Sequence, residues 1–159
     1  MKNDLRPEHL NQEVTVVLPL SVVLRIADEP KTAAPIAQGV ARALPAIGDD
    51  YEGGKFAGIT LDGDQLAALV LLPGDFNGDW KDSTDWADKE GGTLPTRHDQ
   101  MVLFKNMKSE FKEAYYWSCE QHAAVAGCAW GQYFSNGFQG WGDVSYRDRA
   151  RAVRRIPIR

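Results

Sequence analysis

Residues 91–97 read Gly91-Gly92-Thr93-Leu94-Pro95-Thr96-Arg97, a helix stop followed at once by a helix start. Paired glycines close a helix because the residue after its last turn adopts a left-handed conformation. Pro95 fixes the entry to the next helix, and Thr96 offers its hydroxyl as the cap. Upstream, Asp82 or Ser83 is expected to cap a helix running to about Glu90, with Trp86 and Ala87 inward. Downstream, Met101, Leu103, Phe104 and Met107 predict an apolar face on a helix over residues 97–108.

Strands are expected on both sides of this helix pair. Residues 55–60 and 65–72 alternate or run apolar, and Asp62-Gly63-Asp64 between them is a hairpin turn. Residues 73–79 read as a loop. After the helices, residues 115–118, 129–134 and 149–156 read as strands, separated by turns at Asn136-Gly137 and over 140–143. Strands, two helices, then strands argue for an α+β fold and against a doubly wound sheet. Trp117 and Trp130 fall on candidate strands and are expected to anchor the core.

Residues 1–50 read differently. Residues 14–18 form a short β-branched run ended by Pro19, and Ser21 is a cap for a short helix through Ile26. Pro30, Pro35 and Pro45 mark a linker with a short helix over 36–44. This places a boundary near residue 50: an N-terminal arm over 1–50, a candidate oligomerisation or docking segment, and a domain over 51–159.

The chain's 159 residues suit about one domain. Its 43% hydrophobic and 25% charged residues match ordinary globular proteins, which excludes disordered and collagen-like classes. Two cysteines cannot build a disulfide framework. No apolar run reaches the roughly 18 residues of a membrane span, and residues 1–10 lack the apolar stretch of a signal peptide. The expectation is a soluble protein made in a reducing cytoplasm, with no membrane partner. The net charge of −4 disfavours a generic nucleic-acid binder. That average hides an asymmetry. Residues 1–100 hold nine Lys/Arg against 17 Asp/Glu, whereas residues 101–159 hold nine against five. Arg147, Arg149, Arg151, Arg154, Arg155 and Arg159 crowd the end of the chain. They are expected to pair with the acidic first two-thirds. Strand alternation would set Arg149, Arg151 and Val153 on one face. The other reading, a basic tail on nucleic acid, requires steeply salt-dependent affinity.

Three constellations are candidates for chemistry. Cys119 and His122 have the spacing of a nucleophile and base, and Cys128 could join them as a third metal ligand, but no fourth ligand is close in sequence. Structural cysteines are the simpler reading. Asp75-Phe76-Asn77-Gly78-Asp79 offers oxygens to calcium but lacks the glutamate and spacing of an EF-hand, so a polar turn is simpler. Neither a metal nor a cofactor motif emerges, and the phosphate-loop, dinucleotide, zincin and nucleophile-elbow patterns are absent from the sequence. The third constellation is aromatic. Tyr133, Phe134, Phe138, Trp141 and Tyr146 are interleaved with Ser, Asn, Gln and Gly. Rigid rings with adaptable polar neighbours are the makings of a binding loop. Strand position assigns Phe134, with Tyr133, to the core; Asn136, Phe138, Gln139, Trp141 and Tyr146 are the candidate ligand-binding residues, with packing the equal alternative for Phe138 and Trp141.

Four segments carry a family resemblance. They are residues 91–97 above, Tyr116-Trp117-Ser118-Cys119-Glu120, Ala129-Trp130-Gly131-Gln132-Tyr133-Phe134-Ser135-Asn136-Gly137, and Arg149-Ala150-Arg151-Ala152-Val153-Arg154-Arg155-Ile156. In this order they resemble the Lcl C-terminal domain family over about residues 51–159. Cys119 departs from the family's usual Ser or Thr. The resemblance implies a C-type-lectin-like domain of two helices, a small antiparallel sheet and long binding loops, often encoded by phages and prophages. On that footing the chain is expected to be a non-enzymatic binding module that recognises a protein or glycan through its C-terminal loops. It would be made in the cytoplasm of a bacterial host and carried on a virion. The alternatives are an intracellular accessory protein that inhibits a host or defence protein, and a thiol-dependent enzyme using Cys119 and His122.

Overall fold

In the computed structural model, residues 44–158 are described. The strand expected over 14–18 and the helices expected after Ser21 and from Ile36 lie outside them, as does most of the arm. Two sheets and two helices make up the described part, an α+β architecture.

The first sheet has the order β1 (Asp50–Tyr51), β2 (Gly54–Asp62), β3 (Gln65–Leu71) and β9 (Val153–Pro157), all antiparallel. Gly63 turns the β2–β3 hairpin at φ +60°, with Asp62 opposite Gln65. β3 is central, and residues 67–71 are all buried. Its alternation divides the core in two: Leu69 and Leu71 join Leu103, Met107, Tyr116 and Phe134, whereas Val70 and Leu72 join Ala87, Leu94, Trp117 and Ala129. A continuous apolar run is what a strand covered on both faces requires.

The second sheet has the order β4 (Phe76–Gly78), β8 (Asp148–Ala150), β5 (Tyr115–Gln121), β6 (Cys128–Tyr133) and β7 (Gln139–Asp143). Only the β5–β8 pair is parallel. Two of these strands correct the sequence reading. β4 lies in the stretch read as a loop, where Phe76 stacks on Trp86 at 5.5 Å. β7 lies in the stretch read as a turn, and its glycines pair with β6.

The segment 149–156, read as one strand, is two. It leaves the second sheet after Ala150 and enters the first at Val153. Arg151 lies buried at the crossing and donates to the carbonyls of Glu110 and Leu72. The shared face expected for Arg149, Arg151 and Val153 therefore does not form.

Helix α1 (Trp80–Lys89) starts earlier than expected, because Asp79 rather than Asp82 or Ser83 is its cap. The Asp79 carboxylate accepts from the Asp82 N–H, and Ser83 is buried. Its end is as read. The N–H groups of Gly91 and Gly92 bond back to Asp88 and Ala87, with Gly91 at φ +75°. Helix α2 (Arg97–Met107) carries a reciprocal cap between Thr96 and Asp99. Leu103 and Met107 are buried, but Met101 is 59% exposed and lies off the core face. That face is partly polar: Asn106 donates to the Ala57 carbonyl at the β2 bulge, and Gln100 to the Tyr116 carbonyl. A short 3-10 turn, Lys108–Glu110, follows.

The C-terminal arginines mostly meet carboxylates or carbonyls. Arg149 pairs with Asp75 at 2.8 Å, Arg155 with Asp99, and Arg154 reaches the Gly91 and Glu52 carbonyls. The Glu120 carboxylate accepts from the Arg97 main-chain N–H.

Candidate functional site

Glycines hollow one face of the second sheet. Opposed residues of antiparallel strands share a face. The register Trp117↔Gly131↔Gly140 and Ala129↔Gly142 therefore sets three glycines side by side next to Trp117. In the parallel pair Tyr116 lies opposite Arg149, so Tyr115, Trp117 and Asp148 share the glycine face. A cleft of about 410 Å³ occupies it, walled by Tyr115, Phe138, Tyr146 and Asp148.

Local geometry fixes the two outer rings. The Asn136 side-chain carbonyl accepts from the Phe138 N–H at 3.0 Å, shaping the turn before β7. After β7, the Tyr146 N–H returns to the Asp143 carbonyl, and the Asp143 carboxylate accepts from both the N–H and hydroxyl of Ser145. Those two bonds hold the Asp143 carboxyl below its usual pKa. The rings then lean over the strand between them. A Cβ on Gly140 would come within 2.9 Å of the Phe138 ring, and one on Gly142 within 3.2 Å of Tyr146. Phe138 is 60% and Tyr146 61% exposed, and both line the same cleft.

Of the expected site residues, Phe138 and Tyr146 thus meet in one cleft. Trp141 borders it through the strand, but its side chain belongs to the opposite face. There it pairs across from Trp130, and its ring lies 5.0 Å from His122. His122 stacks on Trp130, and the Arg97 guanidinium sits 3.7 Å over the Trp130 ring. Trp130 is therefore a half-buried surface platform and not a core anchor, whereas Trp117 is 1% exposed. Gln139 shares that far face and is fully engaged. Its amide donates to the Arg97 carbonyl and to Gln132, and its carbonyl accepts from Arg97 Nε. Gln139 and Asn136 hold the site's frame and do not reach into the cleft. Sequence reasoning missed Tyr115, Gly131 and Asp148. The signal for Asp148 was the alternation Arg147-Asp148-Arg149, which sets the acid alone on one face.

No hydrogen bond joins Cys119 to His122 among the described residues. His122 Nδ1 accepts from the N–H groups of Ala124 and Val125. Partial desolvation raises the Cys119 thiol pKa; Arg155 opposes the rise, and Glu120 and Asp99 add to it. Cys119 and Cys128 are both free. Among the described residues no group of three His, Cys, Asp or Glu could hold a metal ion. Nor, among them, is any helix long and apolar enough to cross a membrane. In the segment 75–79, Asp75 pairs with Arg149 and Asp79 caps α1.

A second cleft, of about 560 Å³, lies where Lys55, Glu110 and Arg151 meet β1 and β3. Asp50 also lines it; Lys55 bonds Glu110 at 2.7 Å, and Arg151 bonds two carbonyls through its terminal nitrogens while its Nε stays buried without a partner. Desolvation lowers the Arg151 pKa.

No family model matches the chain, and a search of curated proteins finds no match.

Proposed function

We propose that the chain is a binding module and not an enzyme: a phage- or prophage-encoded, C-type-lectin-like domain whose ligand, a protein or glycan, enters the cleft between Phe138 and Tyr146. The observation that carries this reading is the exposure of those two rings around a floor of three glycines. Burying such rings is the main gain available to the protein at that surface, and concave aromatic sites are what ligands use. The lectin-like assignment rests on the four ordered sequence segments and on two helices packed with two sheets.

The test is direct. Labelled protein is applied to intact bacterial cells beside a Phe138→Ala/Tyr146→Ala variant, and virion preparations are probed for the protein. Binding that the variant loses supports the reading. Binding that the variant keeps moves the site elsewhere. Absence from both cells and virions removes the surface role and leaves the accessory-protein alternative.

A further inference from the structure

One wall of the cleft differs in kind from the others. Asp148 lines it, and its carboxylate makes no hydrogen bond or ion pair with any other described residue. Its sequence neighbours offer none. Arg147 donates to the Asn77 carbonyl, and Arg149 is held by Asp75. Strand alternation places both arginines on the face away from the acid. Burial is the sole cause raising the Asp148 carboxyl above its usual pKa. A half-buried carboxylate without a partner is unfavourable to the fold by itself. The rings around it have electron-rich faces that attract cations.

A second feature lies beside the cleft. β7 ends its sheet. Tyr133 donates to the Phe138 carbonyl and Val144 to the Gly127 carbonyl. By antiparallel alternation the main-chain groups of Gly140 and Gly142 then face β6, and those of Gln139 and Trp141 point outward. An extended chain can pair with that edge and drop a side chain into the cleft. A neutral sugar would leave the half-buried Asp148 charge uncompensated.

We infer that the cleft takes the cationic side chain, lysine or arginine, of an extended peptide segment of a partner protein, with Asp148 as its counter-charge and Tyr115, Phe138 and Tyr146 as its walls. The inference rests on the binding-module reading above and specifies its ligand. The mechanism is recognition alone: the ammonium or guanidinium donates to the Asp148 carboxylate while its alkyl stem packs on the rings.

The experiment is an NMR titration of the full chain with acetylated pentapeptide amides. The peptides are Thr-Val-Lys-Val-Thr, its arginine counterpart and its norleucine counterpart; a neutral oligosaccharide is titrated in parallel. The wild type is compared with Asp148→Asn and Tyr146→Ala. We expect the basic peptides to shift cleft resonances and the norleucine peptide to bind about tenfold more weakly, the worth of one charge-assisted hydrogen bond. Asp148→Asn should bring the basic peptides down to the norleucine level, and Tyr146→Ala should weaken all three. Equal affinity for basic and norleucine peptides overturns the counter-charge while the cleft stands. Cleft binding by the oligosaccharide alone, unchanged in Asp148→Asn, overturns the inference and leaves the binding-module reading intact. Cleft resonances unmoved by every probe overturn the inference, and the whole-cell comparison then decides the broader reading separately.

Discussion

Arg155 on the last strand donates to the carboxylate of Asp99, a side chain with no exposure at all in the first turn of α2. The same carboxylate accepts from the Thr96 main chain and from the Thr60 hydroxyl on β2. One buried acid thus caps its own helix and ties it to two strands of the first sheet. Removing a single partner leaves a charge buried and unpaired, which costs about 3–5 kcal/mol. Asp99→Ala and Arg155→Ala are each expected to lower stability by that order in urea titrations. A loss of under 1 kcal/mol for both would mean that the pair is incidental.

The two opposed glycines of the cleft floor predict different outcomes. A Cβ on Gly131 would come within 2.9 Å of the Tyr116 carbonyl, which is main chain inside the sheet. A Cβ on Gly140 meets the Phe138 ring at the same distance, but that ring is exposed and can swing. Gly131→Ala should therefore destabilise by about 1–3 kcal/mol, the range for overpacking. Gly140→Ala should fold almost as well as the wild type and yet reduce ligand affinity by displacing Phe138. Thermal melts paired with the peptide titration separate the two effects.

Asp148 gives a pH-dependent prediction. Its folded pKa is raised by burial above the ordinary carboxylate value of the unfolded chain. Between the two values the folded protein holds the extra proton, so stability falls as pH rises through that window. Asp148→Asn removes the penalty. The variant should be more stable than the wild type at neutral pH, and its advantage should vanish as the pH drops through the raised pKa towards the ordinary one. Melting both proteins across the acid range tests this. A variant less stable at neutral pH would show that the carboxylate has a stabilising contact.

Cys119 is solvent-accessible, but its thiolate is disfavoured, chiefly by desolvation. Nucleophilicity towards alkylating agents follows the thiolate fraction. Iodoacetamide should modify Cys119 more slowly than a free thiol at pH 7.5, with the rate still rising above pH 9. Fast labelling near neutrality would favour the thiol-enzyme alternative.

How much of this the sequence showed depends on whether the signal was local. The α1 stop at Gly91 and the α2 cap at Thr96 depend on neighbours within four residues, and both are legible. The hairpin at Gly63 is legible for the same reason. β7 was not, because Gly140 and Gly142 look like turn formers; they are glycines so that rings from outside the strand can lie on it. The crossing at Arg151-Ala152 was hidden because alternation does not reveal which sheet a strand joins. Phe138 and Tyr146 stand out by composition alone. Asp148 and Tyr115 depend on the β5–β8 and β5–β6 pairings, which follow from the folded core and not from their own neighbours.

Trp141 is one of the five candidate ligand-binding residues, and the sheet sends its side chain to the face away from the cleft. It is 51% exposed, but it pairs with Trp130 and touches His122 on the face opposite Tyr146. The platform it extends, with Arg97 over Trp130, is stabilising by about 0.5–1.5 kcal/mol per ring pair. Trp141→Ala should accordingly lower the melting point slightly, leave the far-face Gln139 bonds in place, and change basic-peptide affinity by less than about twofold. Tyr146→Ala should do the reverse: almost no change in melting point, because the ring is mostly exposed, and a clear loss of binding. Side-by-side titration of the two variants decides which face is used. If Trp141→Ala abolishes binding and Tyr146→Ala does not, the ligand sits on the Arg97–Trp130–His122 face, and the glycine-floored cleft is not the binding site.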